Sequence, residues 1–324
     1  MARSIAKGPK PRAGFATVNK NAPKPFVKKA WVAPTQQVTT AKSNEPLGTV
    51  QEALLRAQKH GIAKVDARML LLHTLGKHTT DMAWLVSNDN NPINAKQADA
   101  YGEVCARRRA GEPVAYIVGH KEFYGLRLAV DKRVLDPRDD TEILVEWALA
   151  LLPSGASGKV LDLGTGSGAV ALAVQSKRPS TQVHATDASP DALDVARANA
   201  ATLKLSVQFH QGSWLDAVTG QQFDLIVANP PYIAAADPHL AALTHEPLQA
   251  LASGEDGLED IRQIIAEAPA HLHAGGWLLL EHGYDQAAAV RALLEQHGFS
   301  EVESRKDLAG VERCSGGQWQ PAAK

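Results

Sequence analysis

The sequence predicts an α/β protein in which a mostly parallel sheet carries helices on both faces and follows a small helical bundle. Three observations predict it. From residue 144 onward, short apolar runs of strand character alternate with helical stretches, the pattern of parallel sheets. Residues 47–109 show only the helical period. Between the two, residues 112–135 concentrate strand formers punctuated by glycine.

The elements follow in order. Thr49 and, three residues on, Glu52 form a capping-box pattern, and Val50, Ala53, Leu54 and Ala57 recur at helical spacing. His60-Gly61 ends that helix. The pattern repeats over 65–75 and stops at Gly76, with further helices predicted at 80–86 and 95–109. Val114, Tyr116, Ile117 and Val118 are strand formers, as are Phe123, Tyr124, Leu128 and Val130, so 111–140 reads as a β-hairpin linker between two domains. Beyond it, strands are predicted at 160–163, 183–187, 207–210, 223–228 and 277–281, and helices at 169–176, 258–271 and 285–297. Ser189-Pro190-Asp191 starts another helix with a hydroxyl cap, a proline at the first helical position and an acid in the first turn.

Composition excludes several classes. The 324 residues suit two domains, at roughly 100–200 residues each. Two cysteines without a CxxC pattern cannot build a disulfide framework or a cysteine zinc site. No run of 18 or more apolar residues is present, so no transmembrane helix is predicted. The net charge of −1 hides opposed parts: 1–46 carries +8, and the remainder −9. The first segment also holds six prolines, and its composition predicts a disordered basic tail. It suits attraction to RNA or the ribosome by counterion release, an organelle transit peptide, or a plain solvated extension. Prolines 9, 11, 23, 25 and 34 oppose the amphipathic helix that a transit peptide needs.

Two motifs carry chemistry. In the first, strand 160–163 runs into Gly164-Thr165-Gly166-Ser167-Gly168 and then a helix. Glycines at this spacing turn tightly and let a ligand approach the backbone. Asp187 ends the next strand 19 residues after Gly168, close to the ~20 expected of an acid that accepts hydrogen bonds from ribose hydroxyls. Alone, the motif suits a nicotinamide dinucleotide equally well. The second is Asn229-Pro230-Pro231-Tyr232 after the apolar strand 223–228. Two prolines cannot continue a ladder, so Asn229 sits at the strand's carboxyl end, where ligands bind in open α/β sheets. The Asn229 side-chain oxygen and a backbone carbonyl of the rigid Pro-Pro step offer two acceptors for one planar NH₂, and Tyr232 adds an aromatic face for a flat substrate. Such an amine is a poor nucleophile. Methyl transfer to it needs positioning and electrostatics more than a strong base. Glu246 is open to a substrate contact or a structural role, and Gly316-Gly317-Gln318 in the final strand reads as a chance tripeptide.

These residues resemble a family. LDLGTGSGAVALAV at 161–174, ATDASPDALDVARANA at 185–200 and FDLIVANPPYI at 223–233 are similar to the class I S-adenosylmethionine-dependent methyltransferases with an NPPY motif. GEPVAYIVGHKEFYGLRLAVDKRVLDPRDDTEILVE at 111–146, HEPLQALASGEDGLEDIRQII at 245–265 and GGWLLLEHGYDQ at 275–286 narrow the likeness to the peptide chain release factor glutamine methyltransferases. The likeness spans 47–319 and leaves the tail outside. Where that family usually has Pro-Arg-Pro-Asp-Thr-Glu, this chain has Pro137-Arg138-Asp139-Asp140-Thr141-Glu142, preceded by Asp136.

The resemblance implies a Rossmann-like sheet over 141–324, a helical substrate-recognition domain over 47–110, and a cytoplasmic enzyme. It implies methyl transfer from S-adenosylmethionine to the glutamine amide nitrogen of a Gly-Gly-Gln motif in release factors. Gly164, Thr165, Gly166, Ser167, Gly168, Asp187, Trp214 and Asn229 would hold the cofactor, Trp214 beside its adenine. Asn229, Pro230, Pro231 and Tyr232 would hold the target amide, with Asn229, Pro230 and Tyr232 as the catalytic set and no metal. The rival readings are an adenine exocyclic-amine methyltransferase acting on DNA or RNA and a ribosomal-protein glutamine methyltransferase. The −9 balance of 47–324 opposes a nucleic-acid partner, except through the basic tail.

Overall fold

The structure is a computed structural model, which describes residues 48–155 and 157–321; the predicted basic tail, 1–46, lies outside the described residues. Helices α1 (Val50–Lys59), α2 (Lys64–Thr74), α3 (Met82–Ser87) and α4 (Ala95–Arg109) come first. The capping box of α1 is formed: Thr49 Oγ1 accepts from the Glu52 N–H, and Glu52 Oε2 from the Thr49 N–H. Asn94 and Gln97 do the same for α4. These helices bury one apolar cluster, centred on Ala53, Leu70, Leu71, Leu72 and Tyr101. The Tyr101 hydroxyl donates to the Ala67 carbonyl across it, at 3.0 Å.

One predicted strand is a helix. Residues Val114–Val118 form α5, with Pro113 as its N-cap at φ −56° and Gly119 ending it at φ 80°. Ala115, Tyr116, Ile117 and Val118 are all buried. Burial on every side, between a residue pre-set for helix entry and a left-handed stop, overrides their strand preference. The hairpin is correspondingly short: β1 (His120–Phe123) and β2 (Leu126–Ala129). Tyr124 and Gly125 join them at φ 47° and 77°, the left-handed pair of a two-residue turn matched to strand twist.

The remaining chain alternates: α6 (Glu142–Leu151), β3 (Lys159–Leu163), α7 (Ala169–Lys177), β4 (Gln182–Asp187), α8 (Pro190–Leu203), β5 (Val207–Gln211) and β6 (Phe223–Ala228). Then come α9 (Glu259–His271), β7 (Leu272–Glu281), α10 (Ala287–Gln296), β8 (Phe299–Lys306) and β9 (Glu312–Trp319). The sheet order is β5-β4-β3-β6-β7-β9-β8. Strands β3 to β7 are parallel, and β9 runs antiparallel to β7 and β8. β8 was not predicted, because its solvent-facing Glu301, Glu303 and Lys306 break any apolar run. Side chains alternate along each strand. Val160, Leu225 and Val227 meet Trp147 and Leu172 on one face, while Leu161, Ile226 and Leu278 meet Ile261, Ile264 and Leu294 on the other.

Strand order reverses between β3 and β6, so a crevice opens beyond their carboxyl ends. The Gly-Gly-Gln tripeptide lies elsewhere. Gln318 pairs with Trp277, and its amide donates to the Gly275 carbonyl at 2.9 Å, near the amino end of β7. Its glycines answer a packing demand: a Cβ on Gly316 would lie 2.5 Å from Leu279 Cδ2 and 2.7 Å from the Leu278 carbonyl oxygen. Gly316→Val should therefore destabilise the fold by about 1–3 kcal/mol, read as a lower urea midpoint.

Candidate active site

The glycine loop leaves β3 at Leu163. Gly164, Gly166 and Gly168 have φ of 65°, 55° and 84°, in the left-handed region that glycine enters without penalty. At Gly164 the need is also spatial: a Cβ would lie 3.0 Å from Trp214 Cζ3. Thr165 and Ser167 are buried and build the loop. The Thr165 N–H donates to the Thr186 carbonyl at 2.9 Å, and the Ser167 carbonyl accepts from Asn199 Nδ2 at 2.9 Å. Beneath them, Asp162 Oδ2 accepts from the Thr165 hydroxyl at 2.6 Å and from the Ala171 N–H at 3.1 Å. Complete burial pushes the Asp162 carboxyl up to about 7, against the pull of those two donors.

Asp187 ends β4 facing the loop. Its Oδ2 accepts from the Gly166 N–H and its Oδ1 from the Ser189 N–H, each at 2.9 Å. Burial raises its pKa, and the two N–H bonds oppose that rise. Gly164, Gly166, Asp187, Trp214, Asn229 and Pro231 line one cavity of about 270 Å³. Six residues read from separate motifs thus meet at the switch point. Gly168, Thr165, Ser167, Pro230 and Tyr232 do not line it. Asp260 does, and sequence reasoning missed it; it accepts from Trp214 Nε1 at 3.1 Å and so holds the indole against Gly164.

Asn229 follows the last residue of β6, and Pro230 and Pro231 are buried behind it. Asn229 Nδ2 donates to Thr141 Oγ1 at 3.1 Å. Tyr232 packs against the apolar cluster under α9 and α10, and its hydroxyl reaches Glu281 Oε1 at 3.4 Å. Its carbonyl accepts from Gln286 Nε2 at 3.1 Å. Burial and the Glu281 charge raise the tyrosine pKa. Glu281 itself is 1% exposed, and burial pushes its carboxyl up to about 7. Thr141 and Glu281 are further residues the sequence reading did not single out. The available signal was a lone carboxylate ending an apolar strand, in the same place as Asn229 on its own strand. Glu246 is a tie between segments: Arg138 Nη2 meets its Oε1 at 2.5 Å, and the Asp136 N–H its Oε2 at 3.3 Å.

Among the described residues no helix is long and apolar enough to cross a membrane, and no group of three or more His, Cys, Asp or Glu is placed to hold a metal ion. Cys105 and Cys314 are buried and free.

Known proteins resemble this chain. The family description "Methyltransferase small domain" matches residues 139–306, and "PrmC N-terminal domain" matches residues 50–119. A Xylella fastidiosa release factor glutamine methyltransferase is 47% identical over 269 residues, 82% of this chain and 97% of that protein. A Bordetella pertussis protein of the same name is 48% identical over 260 residues, 79% of this chain and 95% of that protein. The crystal structure of a methyltransferase from Pyrococcus furiosus shares the fold, with a TM-score of 0.50 at 20% identity over 66% of this chain and 99% of that one. A seven-stranded sheet with a glycine-loop cavity at its switch point, and near-full-length identity approaching one half, place this chain in the release factor glutamine methyltransferase family.

Proposed function

We propose that this protein transfers a methyl group from S-adenosylmethionine to the side-chain amide nitrogen of the glutamine in the Gly-Gly-Gln motif of release factors. The observation that carries the reading is Asn229 on the wall of the glycine-loop cavity, with its own NH₂ tied back to Thr141. That tie leaves the Asn229 oxygen for a substrate.

The residues present fit the cofactor. Gly164 leaves room for the Trp214 ring, which offers adenine a flat face, at the one point where a Cβ would intrude. A carboxylate has about four acceptor sites. Asp187 uses two of them on backbone N–H groups and keeps the rest for ribose hydroxyls. Bound S-adenosylmethionine supplies a methyl group on a positively charged sulfur, an electrophilic carbon with a neutral leaving group.

The chain's own task is to aim the nitrogen. An amide lone pair is delocalised into its carbonyl. The Asn229 oxygen and a backbone carbonyl of the Pro230-Pro231 step, accepting the two N–H groups, hold the NH₂ so that its lone pair points at the methyl carbon. Their partial negative charge favours the positive charge that develops on nitrogen. As the carbon–nitrogen bond forms the carbon–sulfur bond breaks, and the cationic amide gives one N–H proton to water; the methylated amide then has one N–H fewer, so one acceptor loses its donor and the grip on product weakens. The helical part, 47–110, is read as the domain that recognises the release factor, with 111–140 as its linker to the methyltransferase domain. With two buried thiols and a substrate that works in translation, we place the enzyme in the cytoplasm.

The test is purified protein with a labelled methyl donor, offered a release factor, a ribosomal protein or a nucleic acid. Label on the Gly-Gly-Gln peptide of the release factor is expected. Label on nucleic acid or on the ribosomal protein instead would overturn the reading.

A further inference from the structure

Asn229 can accept a substrate N–H only if its oxygen faces the cavity. The oxygen and nitrogen ends of an amide are alike in shape, so the surroundings must choose between them. Two buried groups, Thr141 and Glu281, and the half-buried Tyr232 surround that choice. Glu281 ends β7 alongside Asn229, since Ala228 of β6 pairs with Leu280. Thr141 precedes α6 and is 3% exposed, and Glu281 is 1% exposed. Thr141 Oγ1 accepts from Asn229 Nδ2 at 3.1 Å, while Glu281 Oε1 takes the Tyr232 hydroxyl at 3.4 Å. Glu281 Oε2 is buried with no hydrogen-bond partner among the described residues, and the Thr141 hydroxyl lies close enough to lower the carboxyl's proton affinity.

An ionised carboxylate can only accept hydrogen bonds. We propose that Thr141 and Glu281 are positioning residues that fix the polarity of Asn229: Glu281 draws the Thr141 hydroxyl proton, so Thr141 has only a lone pair left for Asn229. Asn229 must then turn its N–H toward Thr141 and its oxygen toward the target amide. The inference rests on the methyl-transfer reading above. It explains why a carboxylate is kept where burial penalises its charge and where a glutamine of the same size would avoid that penalty.

Protonating Glu281 would turn it into a donor and release the constraint. The charged groups facing it are Asp140 before α6, which raises its pKa, and Arg313 on β9, which lowers it; Arg313 also pairs with Asp140 at 3.2 Å and Asp307 at 2.9 Å. The Tyr232 hydroxyl and the Cys314 thiol complete the set. Burial outweighs the rest and holds Glu281 at about 7. Turnover should therefore rise with pH through about 7. Stability should move the other way. A carboxyl whose folded pKa is raised contributes stability at pH below its unfolded value and loses it as pH climbs through the folded one. An acid-side loss of kcat is thus separable from unfolding.

The experiment compares wild type, Thr141→Val, Thr141→Ser and Glu281→Gln for kcat, KM for the release factor, donor binding by calorimetry, and melting temperature, across pH 6–9. Thr141→Val should lose about 10²-fold in kcat, the scale of one misdirected catalytic hydrogen bond, with donor affinity kept. Thr141→Ser should recover most of that loss. Glu281→Gln should flatten the acidic limb of the kcat profile and melt no lower than wild type at pH 8. A Thr141→Val enzyme with wild-type kcat, a Thr141→Ser enzyme as poor as the valine variant, or an unchanged acidic limb in Glu281→Gln would overturn the proposal. If Glu281→Gln does not fold, the Thr141 pair decides alone. Failure of the wild type to methylate any release factor would instead sink the proposed function.

Discussion

Asn229→Ala should lower kcat for release-factor methylation by about 10²–10³-fold, with donor affinity close to wild type. The side chain stands at the carboxyl end of β6, on the cavity wall, and is tied to Thr141 at 3.1 Å. In the proposed clamp, truncation removes one of two acceptors on the target NH₂. A backbone carbonyl of the Pro-Pro step alone would hold one N–H but would not set the direction of the lone pair. That loss falls on the chemical step, because a planar amide attacks only when its nitrogen is aimed. Donor affinity survives because Gly164, Gly166, Asp187 and Trp214 stay in place around the cavity. Single-turnover rates and calorimetry separate the two effects, and an unchanged kcat would remove the amide clamp.

Asp187→Ala should raise the donor dissociation constant by about 10²–10⁴-fold. Two ribose hydrogen bonds to a charged carboxylate are worth roughly 1.5–3 kcal/mol each, and each 1.4 kcal/mol is tenfold. The substitution also frees the Gly166 and Ser189 N–H groups that Asp187 now accepts from, each at 2.9 Å, so the glycine loop loses one of its ties to β4 and keeps the Thr165–Thr186 bond. Asp187→Asn keeps an acceptor oxygen and should lose less. Titration of the donor into either variant checks the order; an alanine variant binding like wild type would take Asp187 out of the site.

Local chemistry made much of this protein legible in its sequence. The Thr49–Glu52 box, Ser189-Pro190 and the glycines after β3 act within a few residues of themselves, so their reading needs no distant partner. The strand before Asn229 announces itself because both its faces are buried and a double proline must end it. Other features were decided by groups far apart in the chain. Val114–Val118 is helical because burial outweighed the preference of its side chains. β8 is a strand because β9 supplies its hydrogen bonds, despite its exposed charges. Thr141 and Asn229 are separated by 88 residues, and Tyr232 and Glu281 by 49. No periodicity records that they meet.

The sequence by itself determined the alternation of strands and helices, the turn that admits a ligand, and the residue types at the ends of β3, β4 and β6. Those are consequences of side-chain period and backbone freedom at each position. Only the tertiary structure decided which of those ends share a cavity, that Asp260 holds Trp214, and which way Asn229 faces. Each of these depends on strand order and on hydrogen bonds made inside a buried, low-dielectric region, where one carboxylate can set the direction of every donor around it.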